Sequence, residues 1–286
     1  MREFDIYAGK PCTIRKDGDL ITCSKYDMTI SQYRILLCLI GKIKSNDSPD
    51  TTYTLTTREY FDLCRFYPRK KYSGNELHRG IRSDILQIAN VNGIVDPLGY
   101  PAETFSWLDK RHITFHHENK RLCAAYVRFD PSVAPMLFGL SKSNKQTLRY
   151  DIYNVLAFKN RYSIRLYEML RFKYFRRPHI VMTLSALRQR LGVPDEVSYV
   201  NARFSSYALE PCIEEINKYS DINVYWELWK AGMRNFTHAM FNVSLASPEE
   251  CQARRQLVLD TLRAHPGANK EVNPNGRPNP AFIREE

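Results

Sequence analysis

The chain has 286 residues, enough for two ordinary domains, and its 43% apolar content is that of a globular protein. Forty-two basic against 31 acidic residues leave a net charge of +11, which favours polyanionic partners without choosing between DNA, RNA and a membrane surface. The seven cysteines are scattered without a CxxC, MREFDIYAGK holds no apolar signal core, and no run nears the roughly 18 apolar residues of a membrane span, so a soluble protein with free thiols in the cytoplasm is expected.

In chain order, KDGD at 16–19 suggests a turn between two short strands in an N-terminal segment, 1–27. MTISQYRILLCLIGKIK, 28–44, has helical periodicity, with Ser31 or Thr29 as cap. YTLT (53–56) reads as a strand and TREYFDLCRF (57–66) as a helix. The basic loop YPRKKYSGN follows, and then a long helix, ELHRGIRSDILQIANVNG, 76–93. Strands at 111–117 and 121–129 complete the order of a winged helix.

The second half repeats that order. KNRYSIRLYEMLRFKYFRR, 159–177, carries seven basic residues and one acid, Glu168. As a helix over 160–175 it puts Tyr162, Leu166, Met169, Leu170 and Tyr174 on one stripe and Arg161, Arg165 and Arg171 on the other. HIVMT (179–183) is a strand, and LSALRQRLG (184–192) a helix with Thr183 as cap and Gly192 as stop. RFSSYALEPCIEEINKY (203–219) is helical around a difficulty at Pro211, where the helix either kinks or restarts. INVYWEL (222–228) and FTHAMFNVSL (236–245) alternate as a one-sided hairpin. A weak echo at an offset of 127 aligns Thr56 with Thr183, and Ile81, Ile85, Leu86 and Ala89 with Ala208, Cys212, Ile213 and Ile216. SPEE opens a C-terminal helix over 247–264, and 265–286, rich in Pro, Asn and Gly, reads as a disordered tail. Residues 247–286 hold six basic and six acidic residues, so the surplus charge belongs to 1–246.

The predicted architecture is therefore α+β: two tandem winged-helix domains related by a weak internal repeat, at 28–148 and 149–246. No Walker A, GxSxG or HExxH motif occurs. His112, His116 and His117 are the one histidine cluster; on a strand the even spacing of 112 and 116 would put both rings on one face, without the cysteine or acid pair that would complete a metal site. No enzyme activity, cofactor or metal is expected.

The residues of the second half carry a resemblance. YDIYNVLAFKNRYSIRLYEML (150–170), with YSIRLYEML as its most telling piece, and FSSYALEPCIEEINKYSDINV (204–224) resemble the second winged helix of the iteron-binding plasmid replication initiators of the Rep_3 superfamily. Helix 28–44 and segment 121–140 resemble parts of the first, more loosely. The resemblance implies binding of repeated origin sites on double-stranded DNA, with the second domain dominating base reading. It further implies a dimer through the first domain that represses its own promoter, and recruitment of a host initiator and the replicative helicase. A proline recurs in the family where Pro211 stands. The basic residues usual after the position of Phe204 are replaced here by Ser205, Ser206 and Tyr207.

The candidate DNA contacts follow. Asn201, Arg203, Ser205 and Ser206 open the recognition helix, although helix capping is an alternative for Asn201 and the serines. Arg161 and Arg165 would hold phosphates, or pair with Glu168 instead; Arg176 and Arg177 flank the next strand. Lys230 and Arg234 mark the wing tip. In the first domain the candidates are His78, Arg79 and Arg82 on the matching helix and Arg69, Lys70 and Lys71 in the loop before it, whose basic run has no clear family equivalent. Competing readings are a dimeric winged-helix repressor without initiator role and a basic protein–protein adaptor.

Overall fold

The first long helix, α2 (Ile30–Gly41), begins where Thr29 and Gln32 form a reciprocal capping box: the Thr29 hydroxyl accepts from the Gln32 N–H (3.3 Å), and the Gln32 side chain accepts from the Thr29 N–H (2.9 Å). Ten of its twelve residues are buried, so it is the centre of a core rather than a surface helix. The computed structural model describes residues 5–6, 8–64, 74–97, 100–118, 121–142, 145–193, 204–230, 232 and 236–263.

Around α2 the first module places strand β3 (Tyr53–Thr56), helix α3 (Thr57–Cys64), helix α4 (Gly74–Asn90) and the hairpin β6 (Thr114–Glu118) and β7 (Arg121–Val127). Thr56 and Glu59 repeat the capping-box device at the start of α3. The second module follows the same plan with α6 (Arg161–Tyr174), β9 (His179–Thr183), α7 (Leu184–Leu191), α8 (Glu210–Tyr219), β10 (Ile222–Trp229) and β11 (His238–Leu245). Both sheets have the same strand order: the short first strand pairs with the last, which pairs with the hairpin's first strand, giving β3–β7–β6 and β9–β11–β10. The two modules are tandem winged helices. The echo at offset 127 is structural at most positions. Thr56 and Thr183 each cap the next helix, and Ile81, Ile85 and Ala89 are buried like Ala208, Cys212 and Ile216. It fails at Leu86, which is 42% exposed where Ile213 is buried.

Three elements depart from the sequence reading. KDGD is not a hairpin turn. Strand β1 (Thr13–Asp17) ends at Asp17, whose carboxylate accepts the Asp19 N–H (2.8 Å) and caps the short helix α1 (Gly18–Thr22). β1 then pairs antiparallel with β8 (Thr147–Asp151), Thr13 standing opposite Asp151 and Asp17 opposite Thr147, so the division drawn at residue 148 falls within a strand. Second, the helix expected through residue 93 stops at Asn90, and Gly93 belongs to a strand. There β4 (Asn92–Val95) pairs with β2 (Ser24–Lys25) and with β5 (Glu103–Ser106), in an insertion the second module lacks. Third, His112 lies in a 3₁₀ turn (Lys110–His112) capped by Asp109, not on a strand with His116.

Of the two readings at Pro211, the restart holds: α8 begins at Glu210 with Pro211 in its first turn. The chain from Ser205 to Leu209 is a π turn in which the Glu210 N–H donates to the Ser205 carbonyl, five residues back. The wider turn takes the proline, which has no N–H to donate and would clash with a carbonyl four residues earlier. The C-terminal helix α9 (Pro248–Arg263) is capped by Ser247 and Glu250 as expected, and Arg255 ties it to Asp151 (2.6 Å) and to the Gly9 carbonyl (2.7 Å).

Candidate nucleic-acid interface

In each module a helix and a hairpin wing bring exposed polar and basic side chains together. On α4 of the first module, Arg79 and Arg82 are exposed. The Arg82 guanidinium sits 5.0 Å from the Phe115 ring of β6, so helix and wing share one surface. His78 lies on α4 with its side chain outside the described residues, and Arg69, Lys70 and Lys71 lie outside them altogether.

In the second module, Phe204 is fully buried at the head of the recognition helix, and the Arg188 guanidinium of α7 stands 5.8 Å from its ring. This packing decides between the two serines. Ser205 is 7% exposed and faces inward, which corrects its assignment as a DNA contact, whereas Ser206 is exposed. Asn201 and Arg203 lie outside the described residues, as does Arg234. Lys230 is exposed at the end of β10, with its ammonium 5.0 Å from the Phe236 ring. Between the start of α7 and the start of β11 is a shallow hollow lined by Thr183, Ser185, Arg188, Gln189, Thr237 and His238. Arg188 was not singled out in the sequence. Its signal was available, as a cation on the short second helix of a winged helix, but a basic residue in a last helical turn is ordinary.

The α6 arginines separate. Arg165 does not reach solvent. Its guanidinium donates to the Tyr26 hydroxyl (3.0 Å), to the Ser24 carbonyl and hydroxyl (both 3.1 Å) and to the Ile21 and Leu20 carbonyls (3.3 and 3.4 Å). It also lies 4.5 Å from the centre of the Tyr26 ring, with Glu168 3.8 Å away. Its assignment as a phosphate contact is therefore wrong: it closes the carbonyl end of α1. Glu168 is shared with a second buried cation, Lys16 of β1 (2.7 Å), and with the Tyr150 hydroxyl (2.6 Å). Arg161 is a third exposed and pairs with Asp27 (2.7 Å) rather than with Glu168. Arg177 is exposed; Arg176 is exposed and donates to the Gln146 side chain (2.8 Å). The surface thus keeps Arg79, Arg82, Arg161, Arg176, Arg177, Ser206 and Lys230 of the expected contacts.

A further buried arginine joins the modules. Arg34 of α2 donates to the Leu63 carbonyl (3.3 Å) in its own module and to the Phe158 carbonyl (2.6 Å) just before α6. Among the described residues no group of three or more His, Cys, Asp or Glu side chains is placed to hold a metal. His112 pairs with Asp109 (2.8 Å) and His116 with Glu118 (3.4 Å). Nor is any described helix long and apolar enough to cross a membrane.

The sequence model described as "Initiator Replication protein, WH1" matches residues 13–171, and that described as "Initiator Rep protein, WH2" matches 183–243. The chain belongs to this initiator family. The first match runs through α6, consistent with the contacts of that helix to β1 and α1. A curated "Replication initiation protein" of Escherichia coli is 22% identical over 212 residues, 71% of this chain and 62% of its own length, so the chain spans under two thirds of that relative. The solved structure titled "Crystal structure of Pi initiator protein in complex with iteron DNA" has 14% identity and a TM-score of 0.60, over 84% of this chain and 99% of the other. That likeness is one of fold.

Proposed function

We propose that the chain is a plasmid replication initiator that binds direct repeats in double-stranded origin DNA through its two winged helices. The observation that carries this reading is the duplicated unit itself. Two sheets of identical strand order each set an exposed helix beside a wing, in a family of initiators and with a surplus of +11. Helix-in-groove reading with wings on the backbone needs that geometry and no catalytic group. The structural neighbour solved with iteron DNA supports the same substrate.

In this reading Asn201, Arg203 and Ser206 meet base edges in one major groove, Arg79 and Arg82 serve the first module, and Lys230 and Arg234 hold backbone. Arg69, Lys70 and Lys71 add phosphate contacts ahead of α4. The chain works in the cytoplasm, dimerises through its first module to repress its own promoter, and recruits the host initiator and the replicative helicase. Plasmid maintenance tests the reading. Disrupting the gene on a plasmid that carries its own origin should abolish replication, with rescue in trans. A repressor that starts nothing would leave replication intact.

A further inference from the structure

The β1–β8 ribbon contains an arrangement that folding alone disfavours. Arg15 and Arg149 stand directly opposite one another across the antiparallel pair, on its solvent side. Like charges so placed repel and destabilise a two-stranded ribbon. The ribbon's carboxylates do not relieve them: Asp17 is engaged by Lys145 (3.1 Å) and Asp151 by Arg255 (2.6 Å).

The positive surface continues from the ribbon to the second module. The Gly18 N–H donates to the Gln146 carbonyl (2.9 Å), and the Gln146 side chain accepts from Arg176 at the end of α6 (2.8 Å). There Arg176 and Arg177 follow α6, whose last turn carries the partly buried Lys173, and Arg190 lies in the last turn of α7. Burial first, then the charge of Arg190 and, against an opposing contribution from Cys23, those of Arg176 and Arg177 lower the pKa of Lys173. Gly192, which ends α7, lies so close to the first module that a Cβ there would meet the Tyr26 carbonyl at 2.9 Å. The cations therefore run along the seam where the two modules meet. Among the described residues Arg15, Arg149, Lys173, Arg177 and Arg190 have no carboxylate within ion-pair distance.

We infer that this seam is a phosphate-binding strip that grips the sugar–phosphate backbone of duplex DNA, separate from the two helix–wing surfaces. The inference rests on the duplex-binding reading above and adds Arg15, Arg149, Lys173 and Arg190 to it. A run of cations held without counter-ions, one pair at a cost to the fold, is the arrangement an extended polyanion stabilises, because each neutralised phosphate releases a counterion. The alternative, that the charges serve solubility alone, requires neither their convergence nor the opposed pair.

The test uses the full chain, a mixed-sequence duplex and two double variants, Arg15→Gln with Arg149→Gln and Arg177→Gln with Arg190→Gln. Each should lower the slope of log affinity against log salt by about 1.8, so that the wild-type advantage shrinks about twelve-fold between roughly 50 and 200 mM salt. The ribbon variant should melt no lower than wild type in the absence of DNA, since repulsion has been removed. Equal slopes in folded variants would overturn the strip. Earlier melting of the ribbon variant would overturn the ribbon's part in it by making the pair structural. The mixed-sequence probe keeps the two readings apart. A wild type that binds this duplex with the expected slope differences yet prefers no sequence would support the strip and sink the initiator reading. A wild type that binds no duplex would sink both.

Discussion

Arg165→Met is the substitution on which surface and core readings of α6 differ most. The side chain is fully buried, and its guanidinium supplies hydrogen bonds to five acceptors, two of them carbonyls at the end of α1. Orphaning a buried acceptor costs about 1–3 kcal/mol, and breaking a buried charged network typically about 3–5 kcal/mol in all. One term opposes this. Lys16 and Arg165 share a single carboxylate, Glu168, so removing one cation relieves an excess positive charge. Methionine also retains most of the packing volume. The net expectation is a loss of about 3 kcal/mol, near the low end of that range. With unfolding entropy scaled to a chain of this length, the midpoint should fall by about 5 °C. Thermal unfolding followed by circular dichroism reads the loss, and duplex titrations at several salt concentrations, well below the midpoint, read the slope. The structure predicts a large thermal effect and an unchanged slope. A phosphate-holding Arg165 would do the reverse, with little thermal change and a slope smaller by about 0.9. That pattern would refute the buried-hub account.

Thr183→Ala removes the hydroxyl that accepts the Ala186 N–H (3.1 Å) at the start of α7, and should cost about 1 kcal/mol by chemical denaturation. Pro211→Ala restores an N–H beside the π turn and lets the helix tighten toward α geometry, turning Ser206 relative to the rest of the recognition helix; site selection should then shift its preferred sequence while stability changes little. Burial raises the thiol pKa of Cys212 to about 12 and drives that of Cys38 higher still, so both should resist a thiol reagent in the native protein and react on unfolding, while the only partly buried Cys23 and Cys123 label before them. Asp109 is held well below the usual carboxylate range, chiefly by its Arg111 hydrogen bonds. Its contribution should be complete above the unfolded-state value near pH 4 and fade as pH falls below that, so Asp109→Asn should flatten the acid limb of the stability curve.

The legible parts of this fold were those with a short-range signal. Thr29, one of the two caps considered for α2, the Ser247–Glu250 pair, the Gly192 stop and the alternation of 222–228 all reappear in three dimensions. Long-range pairing was not legible: nothing near KDGD announces that β1 joins β8 or that β2 joins β4. Helix α6 shows why charge misleads. Eight consecutive residues, Ser163–Leu170, are buried because α1 covers its polar side while the second module covers its apolar side. A helix enclosed on both sides, one by polar partners, has the same periodicity as an amphipathic surface helix. The arginine count of 159–177 therefore overstated the DNA face, and Arg165 served the junction of the modules instead. The candidate site divided along the same line. Arg79, Arg82, Ser206 and Lys230 are exposed, whereas Ser205, in the π turn next to the buried Phe204, is itself buried.

Selection of bound sites from a random duplex library tests the central claim most directly. Two modules that read adjacent grooves predict one enriched sequence of about 20 base pairs, two turns of helix, with its strongest positions in two clusters roughly one turn apart. A library that emerges unenriched after retention at moderate salt, or one that yields only a single short cluster, would contradict the account.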